Sequence, residues 1–285
     1  MQMISKTSFS LCTIAAALLL SACGGKEPAA PANSAGAAPA ADTSNVVYTV
    51  GSDATYAPFE YQDDKGQVIG FSQEVIQAVA DKAGIKIQIV NKPWEGIFET
   101  LNTGDSDIVS SSVTITDERK AQMDFSEPYF EATQMIAIND NKGADIKSFA
   151  DLKNGKHLVS VQTGTTGDIV SQKLMGADSK QIKRFESMPL ALKELLAGGV
   201  DASVGDNGVV QNFVTNNPGA KLRTLVDPTF EKEYYGFAVK KGRSDDLLNK
   251  INTGLAGIKS DGTYDKIYAK WFATAAAPAA ASATN

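Results

Sequence analysis

Cysteine is nearly absent from this chain: 285 residues contain two, Cys12 and Cys23, both near the amino terminus. Everything beyond residue 23 is therefore without an internal disulfide or a thiolate metal site. Histidine is scarcer still. His157 stands alone, at an expected strand entrance, so a His-based metal centre or a Ser-His-Asp triad finds little support. There is no basic excess either: 27 Lys and Arg face 33 Asp and Glu, a net charge of −6 that argues against a nucleic-acid partner. After residue 20 no apolar run is long enough to cross a membrane. No cofactor is expected. The turn Thr163-Gly164-Thr165-Thr166-Gly167 has the glycines of a phosphate loop but no lysine, which excludes nucleotide binding of the P-loop kind.

What is present begins with an export signal. Lys6 supplies a short charged region, and the apolar run of 11–20 is too brief for an ordinary membrane span. It ends in Leu20-Ser21-Ala22-Cys23, followed by Gly24-Gly25. That run resembles a bacterial lipobox, which implies cleavage after residue 22 and lipidation of Cys23. Several acyl chains on one cysteine suffice for stable anchoring. Residues 23–45 carry this cysteine and a flexible tether rich in Ala, Pro, Gly and Ser, and 274–285 read as a disordered Ala-rich tail.

Between these segments strands and helices alternate, the pattern of an α/β protein with mostly parallel sheets covered on both faces. Strands are expected at 46–50, 85–90 and 107–109, and helices at 71–83, 94–101 and from Lys120. A second alternation follows, with strands at 158–162, 182–185 and 201–204 and helices at 168–174, 189–197 and 208–215. Two helices close the chain, at 244–260 with Ser244 as N-cap and at 263–272. Two apolar strands, at 134–138 and 235–239, have no place in either alternation and serve as crossings between two lobes. The lobes are expected at 46–133 with 235–273, and at 134–234. Such an arrangement leaves a cleft that can close on a ligand.

Ligands of α/β folds bind beyond the carboxyl ends of strands. The residues there are Asp53, Tyr56 and Phe59 after the first strand, Trp94 after the second, and Ser111, Ser112, Thr114 and Arg119 after the third. The other lobe brings Gln162, Thr165, Thr166 and Asp206. Arg119 offers a planar fork of donors suited to a carboxylate, with hydroxyls beside it. Asp206 could accept an ammonium group or simply cap the next helix. Tyr56 and Trp94 could stack on a flat or cationic side chain or merely pack. Asp53 could pair with a cation or form a turn. One cation, two carboxylates, aromatic walls and hydroxyls together suit a zwitterion, namely an amino acid.

The stretches Gly51-Ser52-Asp53-Ala54-Thr55-Tyr56-Ala57-Pro58-Phe59-Glu60, Thr114-Ile115-Thr116-Asp117-Glu118-Arg119, Asp124-Phe125-Ser126-Glu127-Pro128-Tyr129 and Tyr235-Gly236-Phe237 resemble the polar amino-acid periplasmic binding proteins of ABC importers. The likeness spans about residues 46–273. It implies a monomeric, two-lobed receptor, two sheets joined by two crossing hinge strands, that shuts on one amino acid and delivers it to an inner-membrane permease. It implies a periplasmic location, with Cys23 as the lipid anchor. By position, Arg119 resembles the family's carboxylate-binding arginine, with Ser112 and Thr114 as partners and Thr165 and Thr166 as the second lobe's turn. Asp206 looks like the α-ammonium acceptor, Tyr56 and Trp94 like the aromatic walls, and Asp53 like the side-chain selector. Two positions depart. Gly205 stands where glutamine receptors place a histidine, and Gly167 where histidine-type receptors have a polar side chain. Asp53 between aromatic walls favours a cationic ligand, arginine first, then lysine and histidine, then other polar amino acids. The rival is a periplasmic enzyme on the same fold, of the cyclohexadienyl dehydratase type, using Asp53 or Asp206 as acid or base.

Overall fold

The structure, a computed structural model, describes residues 46–272. The signal segment, Cys23, the tether and the Ala-rich tail lie outside the described residues. In chain order the elements are β1 (Val47–Ser52), β2 (Thr55–Tyr56), β3 (Glu60–Gln62), β4 (Val68–Ile69), α1 (Phe71–Ala83), β5 (Lys86–Asn91), α2 (Glu99–Thr103), β6 (Ile108–Val109), α3 (Asp117–Lys120), β7 (Met123–Phe125) and β8 (Phe130–Asn139). After a 3₁₀ turn at Phe149–Asn154 come β9 (Val159–Gln162), α4 (Thr166–Met175), β10 (Ile182–Phe185), α5 (Met188–Leu196), β11 (Ala202–Asp206), α6 (Asn207–Thr215), β12 (Leu222–Leu225), β13 (Lys232–Tyr235), β14 (Ala238–Lys240), α7 (Leu247–Ser260) and α8 (Thr263–Phe272).

Two sheets organise these elements. The first has the order β5-β1-β6-β14-β7, and the second β10-β9-β11-β8-β12 with β13 also on β8. Each holds three parallel strands, β5-β1-β6 and β10-β9-β11. β8, β12 and β14 join antiparallel, so both sheets are mixed. The chain passes from the first sheet to the second between β7 and β8, and returns between β13 and β14. The two passages are hydrogen-bonded to each other: the Tyr129 amide donates to the Tyr235 carbonyl at 2.9 Å, and Ser126 to Phe237 at 2.9 Å.

Sequence pattern accounts for the helices that frame the first sheet. In α1 the spacing of Phe71, Val75, Ile76 and Val79 puts four apolar side chains on one buried face, and Gly84 ends the helix in the left-handed region (φ 67°). That face packs against Leu247, Ile251, Leu255 and Ile258 of α7, so the end of the chain completes the first lobe's core. The second lobe has its own cluster, including Ile136, Ile138, Val159, Val161 and Val204.

Four local expectations change. The helix expected from residue 94 is confined to Glu99–Thr103, because Gly96 takes a positive φ of 79° and leaves 94–98 as turns. The helix expected from Lys120 ends there instead. It begins at Asp117, where the Thr116 hydroxyl caps it and Asp117 and Glu118 oppose the dipole in the first turn. Ser244 is not a cap: Arg243 forks onto Asp245 at 2.6 and 2.7 Å, and α7 starts at Leu247 after Asp246. The strand expected at 235–239 is split at Gly236, which lies so close under Ile115 that a Cβ would sit 2.9 Å from the Ile115 Cδ1. In addition, the residues after β1 form a three-stranded meander, β2-β3-β4, rather than an open loop.

Candidate functional site

The two lobes meet at a cleft of about 310 Å3. Eleven of the twelve residues singled out at the strand ends line it: Asp53, Tyr56, Trp94, Ser111, Ser112, Thr114 and Arg119 from the first lobe, Gln162, Thr165, Thr166 and Asp206 from the second. Phe59 does not. It is fully buried behind the cleft, edge-on to Phe71, Phe130 and Tyr235, and serves as core.

Arg119 is positioned by the capped turn of α3. The residue is only 9% exposed. Nη1 donates to the Thr114 carbonyl at 2.9 Å, and Nη2 reaches across to the Gly164 carbonyl of the other lobe at 3.3 Å. The rings of Trp94 and Phe98 lie 5.5 and 5.3 Å from it. Trp94 thus supports the guanidinium, and its indole N–H donates to the Thr163 carbonyl at 3.1 Å. Burial pulls Arg119 below its usual pKa, and Asp206 and Glu233 pull it back. Two of its five N–H donors are committed to carbonyls, so others remain for a carboxylate.

Across the cleft, Thr165 caps α4, its hydroxyl accepting from the Asp168 amide, and the Thr166 and Gly167 amides open the helix without intrahelical acceptors. A helix start of this kind favours an anion. Gly167 has no room for a side chain: a Cβ there would be 2.8 Å from the Val204 carbonyl oxygen and 3.0 Å from the Gln134 Oε1. Gly205 is less confined, since a Cβ there would meet only the flexible end of the Met188 side chain, its Sδ at 2.9 Å.

Asp206 occupies the N-cap position of α6 but makes no side-chain cap. Its carboxylate instead accepts from Gln134 Nε2 at 2.6 Å and from the Tyr235 hydroxyl, with Tyr56 beside it. It is 4% exposed, and burial raises its pKa. Asp53 forms the far end of the cleft. The Thr55 hydroxyl donates to it at 3.0 Å and Gln162 Nε2, from the other lobe, at 3.2 Å, while its own amide donates to Ser111 Oγ at 2.9 Å. Burial raises Asp53 as well. Ser112 takes a left-handed conformation (φ 46°), uncommon for a residue with a Cβ and the kind of local strain found at binding sites.

Two polar residues at the cleft were not singled out from the sequence. Gln134 heads an apolar strand but turns its amide toward Asp206, Glu233 and Thr166. Glu233, on β13, accepts from the hydroxyls of Thr114 at 3.0 Å and Thr166 at 2.8 Å. A polar residue at the head of an apolar run was the available signal for Gln134; Glu233 sits in a charged run that reads as solvated surface.

Behind Ser112 lies a third buried acid, Glu60, 0% exposed, with no hydrogen-bond partner for either carboxyl oxygen. Burial raises its pKa well above the ordinary carboxyl value. The native state therefore holds a proton that the unfolded chain releases. The stability contributed by the neutral acid is complete below the unfolded carboxyl pKa and is lost as pH rises through the raised native value. Glu60→Gln keeps the neutral shape. It is expected to melt several degrees above the wild type at pH 8, with the gap closing toward pH 5; a gap independent of pH would contradict this.

The fold and cleft are those of a two-lobed solute receptor. The model of the bacterial extracellular solute-binding proteins, family 3, matches residues 48–274. The chain belongs to that family. It is 46% identical over 259 residues to a probable histidine-binding protein of Neisseria gonorrhoeae, covering 90% of this chain and 92% of the relative. It is 32% identical over 271 residues to the ABC transporter glutamine-binding protein GlnH of Bacillus subtilis, covering 93% and 96%. Among solved structures it is similar to the arginine-, lysine-, histidine-binding protein ArtJ of Geobacillus stearothermophilus, with a TM-score of 0.75 and 41% identity, covering 80% of this chain and 96% of that one.

Proposed function

We propose that this protein is the substrate-binding component of an ABC importer that captures a cationic amino acid, arginine before lysine and histidine, between its lobes. The observation that carries the reading is the charge arrangement of one closed cleft. Arg119, with free donors, and Asp53 come to it from the first lobe, and Asp206 from the second. The α-carboxylate is assigned to Arg119, aided by Ser112, Thr114 and the Thr165-Thr166 start of α4. The α-ammonium is assigned to Asp206. The cationic side chain runs between Tyr56 and Trp94 to Asp53, with Ser111 and Gln162 holding that end.

Raised carboxyl pKa values support a cationic ligand. Three buried acids with one buried guanidinium are costly to ionise alone. A ligand bringing two ammonium-type charges and one carboxylate relieves that cost. The relatives' names span histidine, arginine and lysine, which fit that class, and glutamine, which fits only the wider class of polar amino acids. Delivery is to an inner-membrane permease from the periplasm, by a monomer held to the membrane through lipidated Cys23. An enzyme would need a cleft acid or base without a binding role, and Asp53 and Asp206 both have one in this reading. A thermal-shift screen of the proteinogenic amino acids with ornithine and cystine tests it. Arginine, lysine or histidine should give the largest rise in melting temperature; a rise confined to acidic or apolar amino acids would overturn it.

A further inference from the structure

We propose that Glu233, outside the eleven cleft-lining residues, sets the charge selectivity of the cleft. This rests on the amino-acid-binding reading above and names a determinant that reading does not use. Glu233 and Gln134 line the open groove beside the cleft, which shares Thr114 and Thr166 with it. One carboxylate oxygen accepts from Thr114 of the first lobe at 3.0 Å and from Thr166 of the second at 2.8 Å. The other accepts from Gln134 Nε2 at 3.0 Å, and the same nitrogen lies 2.6 Å from Asp206. A Gln134 amide has two hydrogens for three acceptors, and the two carboxylates attract them most strongly.

Two consequences follow for a ligand. Both threonine hydroxyls point their hydrogens at Glu233, so a ligand carboxylate must rely on Arg119, the Ser112 hydroxyl and backbone amides. The Arg119 Nη1 bonds the carbonyl of Thr114, the residue whose hydroxyl bonds Glu233. The negative charge of Glu233 therefore repels the α-carboxylate that every amino acid carries, and only a cationic side chain supplies a further attraction that offsets this, which favours a net positive ligand. With Glu233 ionised, Asp53, Asp206 and Glu233 against Arg119 leave the cleft doubly negative; without it, singly. Neutral amino acids should suffer most from the extra charge and cationic ones gain most from it.

Calorimetric titration of the wild type, Glu233→Gln and Glu233→Asp with arginine and with glutamine tests this. In Glu233→Gln the preference for arginine over glutamine is expected to fall by about tenfold or more, through weaker arginine and tighter glutamine binding. Glu233→Asp should restore most of it. If Glu233→Gln does not fold, Glu233→Ala gives the same readout. Equal changes for both ligands would mean that Glu233 only props the hinge, which would overturn the inference alone. A wild type that binds neither ligand overturns the amino-acid reading and this inference with it.

Discussion

Arg119→Ala is expected to reduce binding of every amino acid by about 10²–10³-fold or more, whatever the side chain. The reason is that the variant removes a buried partner and leaves a ligand carboxylate uncompensated, a loss of about 3–5 kcal/mol. Charge-assisted hydrogen bonds of about 1.5–3 kcal/mol each, made in pairs by a guanidinium fork, are of the same size. Arg119→Lys keeps the charge but not the fork, so it should recover only part of the affinity. The variant also loses the bonds to the Thr114 and Gly164 carbonyls and the contact with Trp94 and Phe98, so some loss of stability is expected. Titration at temperatures well below its melting point separates the two effects. A change in affinity for cationic ligands only would show that Arg119 is not the common carboxylate anchor.

Asp53→Asn is expected to act selectively. Affinity for arginine and lysine should fall by about 10–100-fold, the worth of one charge-assisted contact, while neutral amino acids change little. The amide can still accept from Thr55, so the local turn survives. A pH dependence follows from the raised carboxyl. In the free protein Asp53 holds its proton to a higher pH than an ordinary aspartate. A cationic ligand requires the ionised form and lowers the pKa again. Arginine affinity should therefore decline as pH falls through the raised value, and the decline should be shallower in Asp53→Asn, with Asp206 and Glu233 supplying what remains. Equal losses for neutral and cationic ligands would remove Asp53 from its selector role.

Much of the architecture was legible because it depends on local pattern. The 3.6-residue spacing of Phe71, Val75, Ile76 and Val79 and the glycine at 84 define α1 to the residue. The cleft-lining residues could be named because each follows a strand that ends at the same edge. What escaped depends on which face of a crossing strand meets the other lobe. Gln134 and Glu233 lie on β8 and β13, which pair antiparallel, and only that pairing brings their side chains under Asp206 and between the two threonines. Phe59 was misplaced for the opposite reason: it shares its stretch with Asp53 and Tyr56, but the β2–β3 meander turns it into the core. Glu60 closes the Gly51–Glu60 stretch, but nothing in the sequence shows that its carboxyl turns inward behind Ser112.

The most direct measurement of the central claim is calorimetric titration of the wild-type protein with arginine, lysine and histidine. The account predicts saturable one-to-one binding, strongest for arginine, at micromolar affinity or better, which corresponds to about −8 kcal/mol. Absence of saturable binding for all three would contradict it.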